Sequence, residues 1–192
     1  MGDLLFTDGA QGARGDAGFT VIEILVTVAI VAILLALAGP SFRYVTTANR
    51  ASSEINALLG DMQFARAEAI REGQPVTVCA TTDGVACAGA GVAWNGGWFV
   101  FSDPGNTGVM PAGAALKFQK AFSSQDSLQA DQGINLVTFS RDGFALSLPN
   151  PMKFTLKDST ANAQYTRCLS LTIVGALSTQ IGGALTAEGS QC

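Results

Sequence analysis

Histidine is missing from all 192 residues, and only 14% of them are charged. Without imidazole, Ser-His-Asp and Cys-His hydrolysis are excluded, as is every metal site built on a histidine nitrogen. The charged fraction falls well below the ~25% of an average domain. The apolar fraction, 48%, is ordinary, so disorder is not expected. The missing charge is concentrated in one place: from Phe19 to Leu37, Glu23 is the single ionisable side chain. Eleven basic against fifteen acidic residues leave a net charge of −4 and a pI near 4.7, which argues against a general phosphate-binding surface. The length suits one domain, or one domain with an appended element.

Cysteine is scarce, with four residues in two groups, Cys79 with Cys87 and Cys168 with Cys192. An even count favours disulfides in an oxidising compartment, with free structural thiols as the other reading. Neither spacing matches the close C-x2–4-C pairs of zinc sites. Catalytic and nucleotide motifs are also lacking. Gly89-x-Gly91 is followed by Trp94 where a dinucleotide loop needs glycine, and no S-x-x-K pattern occurs. The segment from Ser102 to Gly108 lacks the carboxylate spacing of an EF-hand and reads as a turn. Trp94, Trp98, Phe99 and Phe101 could form a stacking platform, but core packing is the simpler reading. No cofactor, no metal and no enzymatic activity are expected.

What the sequence does have is a long apolar run. Residues 1–18 are small, glycine-rich and polar, without the apolar stretch of a secretory signal peptide; Arg14-Gly15-Asp16 within them is a chance tripeptide. Phe19 to Ala38 is then apolar around the full helical circumference, and ~20 residues at ~1.5 Å each match a ~30 Å hydrocarbon core. Pro40 after Gly39 predicts a helix kink. Beyond it, Ile55, Leu58, Leu59, Met62, Ala65 and Ala69 form one apolar stripe at helical spacing. Arg50 with Glu54, and Glu68 with Arg71, are placed to pair along the helix. Gly73 and Pro75 end it, so that Phe19 to Glu72 reads as one helix, membrane-spanning in its first half and amphipathic in its second.

From Pro75 the signals are those of strands. Residues 76–80, 98–101, 116–120, 134–139, 144–148, 152–156 and 169–173 are short apolar or alternating runs separated by Gly, Pro, Asp and Asn. A hairpin is expected over Phe139–Phe144, with Asp142-Gly143 supplying a positive-φ turn. The fold class is therefore α+β, one long helix packed on a β-rich antiparallel head.

Glu23 is costly in an apolar helix, by about 3 kcal/mol at the centre of a membrane span. It either reaches the interface or has a cationic partner. The sequence around it, Gly18-Phe19-Thr20-Val21-Ile22-Glu23 followed by the apolar run, resembles the class III signal of type IV pilins and type II secretion pseudopilins. Ala65-Arg66-Ala67-Glu68-Ala69-Ile70, Gly97 to Asp103 and Phe139 to Gly143 are similar to GspH/FimT-type minor pilins. The resemblance implies a type IV pilin fold with 1–18 a prepilin leader, 19–39 a transmembrane and filament-core segment, 40–74 the amphipathic second half of the helix, and 75–192 the globular head. It implies that prepilin peptidase cuts between Gly18 and Phe19 and N-methylates Phe19, and that Glu23 serves assembly.

The same resemblance places the chain in the inner membrane as a single pass. The N-terminus would be cytoplasmic and the head periplasmic, and the chain would pass later to the tip of a pilus or pseudopilus. This orientation rests on the family motif, because Arg43 and Arg50 run against the positive-inside bias. A head folded after export implies disulfides Cys79–Cys87 and Cys168–Cys192. The implied function is a minor pilin that initiates or caps a type IV pilus. The implied partners are other minor pilins and the major pilin, or pseudopilins if the chain is a minor pseudopilin of a type II secretion system. A DNA-uptake receptor is a further alternative, but Cys168 to Cys192 contains no Lys or Arg, and nucleic acid is not an expected partner. Leaders in these families carry Lys or Arg near the cleavage glycine, whereas this one sets Arg14 against Asp3, Asp8 and Asp16.

Overall fold

A computed structural model describes residues 18–146, 148, 150–182 and 192, without the side chains of 38–41. The chain divides into two units, Met1–Phe42 and Arg43–Cys192. Helix α1 (Val21–Glu72) contributes residues to both. The leader expected over 1–18 lies, except for Gly18, outside the described residues. The kink expected at Pro40 falls where side chains are not described.

In the first unit every described residue from Gly18 to Leu37 is exposed. This part of α1 is long and apolar enough to cross a membrane. Its start is two residues later than the sequence suggests, because Thr20 caps it.

In the second unit the sequence stripe of α1 becomes its buried face. Ala51, Ile55, Leu58, Met62, Ala65 and Ala69 are buried and form one core with residues of two sheets. The helix ends where Gly73 takes φ +69°. Eight strands follow: β1 (Val76–Ala80), β2 (Gly97–Ser102), β3 (Ala115–Lys120), β4 (Ser127–Ala130), β5 (Leu136–Phe139), β6 (Met152–Lys157), β7 (Arg167–Leu171) and β8 (Leu177–Ile181). They form two four-stranded antiparallel sheets, ordered β3-β2-β1-β5 and β4-β6-β7-β8. The architecture is α+β.

The period-two pleat sorts the side chains. Val76, Val78 and Ala80 of β1, with Trp98 and Val100 of β2, enter the main core. Cys79, Phe99 and Phe101 point to the other face and form a second cluster with Cys87, Met110 and Leu136. Both central strands are thus buried on two faces, and β2 reads as an unbroken apolar run for that reason. In the second sheet Met152, Phe154 and Leu156 alternate inward, facing Leu169 and Leu171.

Three sequence readings are corrected. The described residues of 144–148 do not form a strand. The turn at Ser140–Phe144 closes through Ser140 N–H to Phe144 O and Gly143 N–H to Ser140 O, both 2.8 Å, with Gly143 rather than Asp142 at positive φ. Ala145 then donates to Ile173 O at 2.9 Å and Leu146 to Thr138 O at 2.8 Å. The segment divides its hydrogen bonds between β5 and the turn after β7, leaving one isolated bridge, Phe139 with Ala145. The short β4 and the polar β8 are additional strands without an alternating apolar signal. Arg50 does not pair with Glu54: its guanidinium makes two 2.9 Å hydrogen bonds to Asp126, and Glu54 accepts from Ser124 instead. Glu68 and Arg71 do pair.

Candidate functional site

The N-terminal determinant begins with three residues ahead of α1, Gly18, Phe19 and Thr20. Thr20 is the cap. Its hydroxyl accepts the Glu23 N–H at 3.3 Å and its carbonyl accepts the Ile24 N–H at 3.2 Å. Thr-x-x-Glu is the capping-box spacing, with Phe19 and Ile24 at the two hydrophobic-staple positions that flank it. This was the signal in the sequence that marks where the helix starts. Glu23 lies in the first turn, where the helix dipole favours a carboxylate, and it is exposed.

Gly18 is informative by what surrounds it. A Cβ built there meets no atom within 4 Å, and its φ is outside the left-handed region. Packing among the described residues therefore gives no reason for glycine at 18, in contrast with Gly97. There φ is +105° and an added Cβ would overlap the carbonyl oxygen of Gln119 on the neighbouring strand.

Within the second unit the aromatic residues are structural. Trp94, Trp98, Phe99 and Phe101 are buried. Trp94 Nε1 donates to Ile134 O at 3.0 Å and its ring meets Phe154 edge-on at 5.0 Å. Trp98 Nε1 donates to Asp61 at 2.8 Å, and Asp61 also pairs with Lys117 of β3. The 102–108 segment is a turn organised by Asp103. Its carboxylate accepts the Thr107 and Gly108 N–H groups at 2.9 and 2.8 Å and the Thr77 hydroxyl at 3.0 Å. Burial pushes this carboxyl up, but those donors outweigh it and hold it below the ordinary aspartate value.

Arg66 spans the two sheets. Its Nε donates to Gly143 O at 2.9 Å and its terminal nitrogen to Val174 O at 3.4 Å, so one side chain of α1 holds the turn after β5 and the turn after β7. Arg50, Glu54, Ser124 and Asp126 form a second helix-to-loop cluster. Asp61, Arg66 and Asp126 have partners 37 to 108 residues away, and no local spacing could reveal them.

The cysteines form two disulfides, Cys79–Cys87 and Cys168–Cys192. The first closes the loop over the outer face of β1, where Ala88 N–H returns to Ala80 O at 2.8 Å. The second holds Cys192 beside β8, next to Gln180.

The model for type II transport protein GspH matches residues 54–175. The model for the prokaryotic N-terminal methylation motif matches residues 13–39. No curated protein matches the chain in sequence. Among solved structures, the type IV minor pilin FimU of Pseudomonas aeruginosa is similar at a TM-score of 0.54 with 18% identity, covering 72% of this chain and 92% of that one. The minor pseudopilin EpsH of the type 2 secretion system of Vibrio cholerae is similar at a TM-score of 0.50 with 12% identity, covering 70% and 99%. Those likenesses establish a shared fold, that of type IV pilins. The family model spans well over half of the sequence, behind a methylation motif that contains Gly18, Phe19 and Glu23, and on these grounds the chain belongs to the GspH family of minor pilins and pseudopilins.

Proposed function

We propose that the chain is a minor pilin that helps to start or cap a type IV pilus and has no catalytic role. In this reading 1–18 is a leader that prepilin peptidase removes between Gly18 and Phe19, and Phe19 is then N-methylated. Residues 19–39 cross the inner membrane and later enter the filament core, 40–74 form the packed second half of the helix, and 75–192 form the periplasmic head. The observation that carries the reading is the N-terminal determinant: an apolar first part of α1, exposed from Val21 to Leu37, whose cap, Thr20, and first-turn carboxylate, Glu23, follow a glycine that the described residues do not require. A glycine without an internal role is what a processing enzyme's narrow subsite would demand.

Glu23 has a specific part in this reading. Cleavage gives Phe19 a free amine, and an amine and a carboxylate each buried alone in lipid are penalised. Bringing Glu23 of one subunit to the N-terminal amine of its neighbour offsets much of both costs and fixes the axial register. The partners are then the other minor pilins and the major pilin. Likeness to EpsH keeps a second reading, a minor pseudopilin with pseudopilin partners, whereas two disulfides favour the pilus.

The test is incorporation of wild type and Glu23→Gln into sheared filaments, with membrane level and head folding followed in parallel. Glutamine preserves the capping spacing and removes only the charge. The reading expects wild-type chain in filaments and loss of the variant from them at unchanged membrane level. Incorporation of Glu23→Gln at the wild-type level contradicts the pairing. A deletion strain that keeps its pili but loses exoprotein secretion favours the pseudopilin.

A further inference from the structure

The connection between β3 and β4, residues 121–126, carries the chain from one sheet to the other and is fastened to α1 by polar groups at its far end. Asp126, whose side chain is 1% exposed, takes both hydrogen bonds of the Arg50 fork. Ser124 Oγ donates to Glu54 Oε1 at 2.7 Å, and the Asp126 N–H donates to Ser124 Oγ at 3.3 Å. Glu54 Oε2 is shielded from solvent and has no hydrogen-bond partner among the described residues. The Glu54 carboxyl therefore lies beside an ion pair whose cation is already engaged by Asp126, with Ser124 Oγ bonded both to Glu54 and to the Asp126 backbone.

We propose that Glu54 and Asp126 share one proton, and that this carboxyl–carboxylate pair is a latch that holds the 121–126 connection on α1 and loosens when the proton leaves. A proton on Glu54 Oε2 turns an acceptor without a donor into an O–H that donates to the Asp126 carboxylate, and removes the repulsion between two like charges in a half-buried site. Burial, together with hydrogen bonding to Asp126 and its charge, raises Glu54 to about 7, against the opposing hydrogen bond from Ser124 and the charge of Arg50. The charged groups that bear on the pair come from three elements. Arg50 stands one turn before Glu54 on α1, Asp126 ends the connection, and Asp158 after β6 acts on Arg50. Neither Asp61 nor Arg66 enters the cluster, since their partners are Trp98 and Lys117 for the one and the turn carbonyls for the other. Phe122, edge-on to Trp98 at 6.0 Å with its N–H on Asn95 O at 2.9 Å, lies on the same connection, so releasing the latch reaches the wall of the core.

The experiment uses the full chain in detergent micelles. The carboxyl carbon of Glu54 is titrated by NMR after glutamate labelling, and hydrogen exchange of the Phe122 and Asp126 amides is converted to protection factors at about pH 5.5 and about pH 8. The proposal expects a Glu54 midpoint well above the ordinary ~4.3. It also expects protection of the two amides to drop about tenfold across that interval in wild type. In Glu54→Gln, whose amide remains a donor at every pH, protection should stay level. A Glu54 midpoint at the ordinary glutamate value overturns the proposal, and so does a loss of protection in Glu54→Gln equal to that of wild type.

Discussion

Asp61 is a carboxylate inside an apolar stripe, between Leu58 and Met62, and its two contacts explain why it is tolerated. Trp98 Nε1 donates to one oxygen and Lys117 pairs with the other. The tryptophan is completely buried, so the indole N–H has no water to fall back on. Asp61→Ala leaves a buried donor unsatisfied and a lysine without its partner, which costs about 2–3 kcal/mol after discounting for the half-exposed lysine. Thermal melting followed by near-UV circular dichroism should show a lower midpoint with tryptophan asymmetry lost in the same transition. Asp61→Asn, which keeps an acceptor for Trp98, should lose less. Equal midpoints for Asp61→Ala and wild type would remove Asp61 from any structural role. The sequence could not have shown this contact, because it joins residues 37 positions apart. Glu23 was legible for the opposite reason, being a lone charge in an apolar run.

The elements divide along the same line. The α1 stripe, β1, β2 and β6 were readable because each carries its own period: the helix repeats at three and four residues, β6 alternates, and β1 and β2 are apolar on both faces. β4 and β8 were not. Ser127–Ala130 buries one large residue, Leu128, and Leu177–Ile181 is an edge strand with mostly exposed side chains, so their strand form comes from pairing with β6 and β7. Residues 144–148 misled for the converse reason, since alternation there serves two partners instead of one ladder. The Cys168–Cys192 disulfide bears on β8, which lacks such packing, while Cys79–Cys87 ties a loop to the well-packed β1. Loop-closure entropy assigns about 2.5 kcal/mol to the short Cys79–Cys87 ring and about 3.5 kcal/mol to the longer Cys168–Cys192 ring. Replacing each pair by serine and unfolding the oxidised chain in urea should therefore cost more stability for Cys168 with Cys192, the pair that secures β8. A larger loss from the Cys79 pair would mean that covering the outer face of β1 outweighs chain entropy.

For the whole molecule, the carboxylates set an unusual pH profile. Asp103 and Asp158 are each pushed up by burial but pulled lower by hydrogen bonds, from Thr107, Gly108 and Thr77 in one case and from Thr160 and Asn162 in the other. A depressed folded value contributes stability above the unfolded value and loses it as pH falls. Glu54 works the other way. With its folded value raised to about 7, the fold holds a proton that the unfolded chain has released, and stability declines as pH rises from the ordinary carboxylate range toward 7. Together they place maximal stability of the head at about pH 4–5, with losses on both sides. Melting temperatures across that range should peak there, and Glu54→Gln should flatten the alkaline limb only. A peak near pH 8 would contradict the account.

At the other end of the chain, a glycine with no described atom within 4 Å of its Cβ position precedes a capped apolar helix. The most direct measurement is the intact mass and N-terminal peptide of the chain purified from membranes that contain prepilin peptidase. The account predicts a chain beginning at Phe19 and heavier by one methyl group on its α-amine, and a full-length, unmethylated chain when Gly18 is replaced by a bulky residue. A mature protein that retains residues 1–18, or begins at any residue other than Phe19, would contradict it.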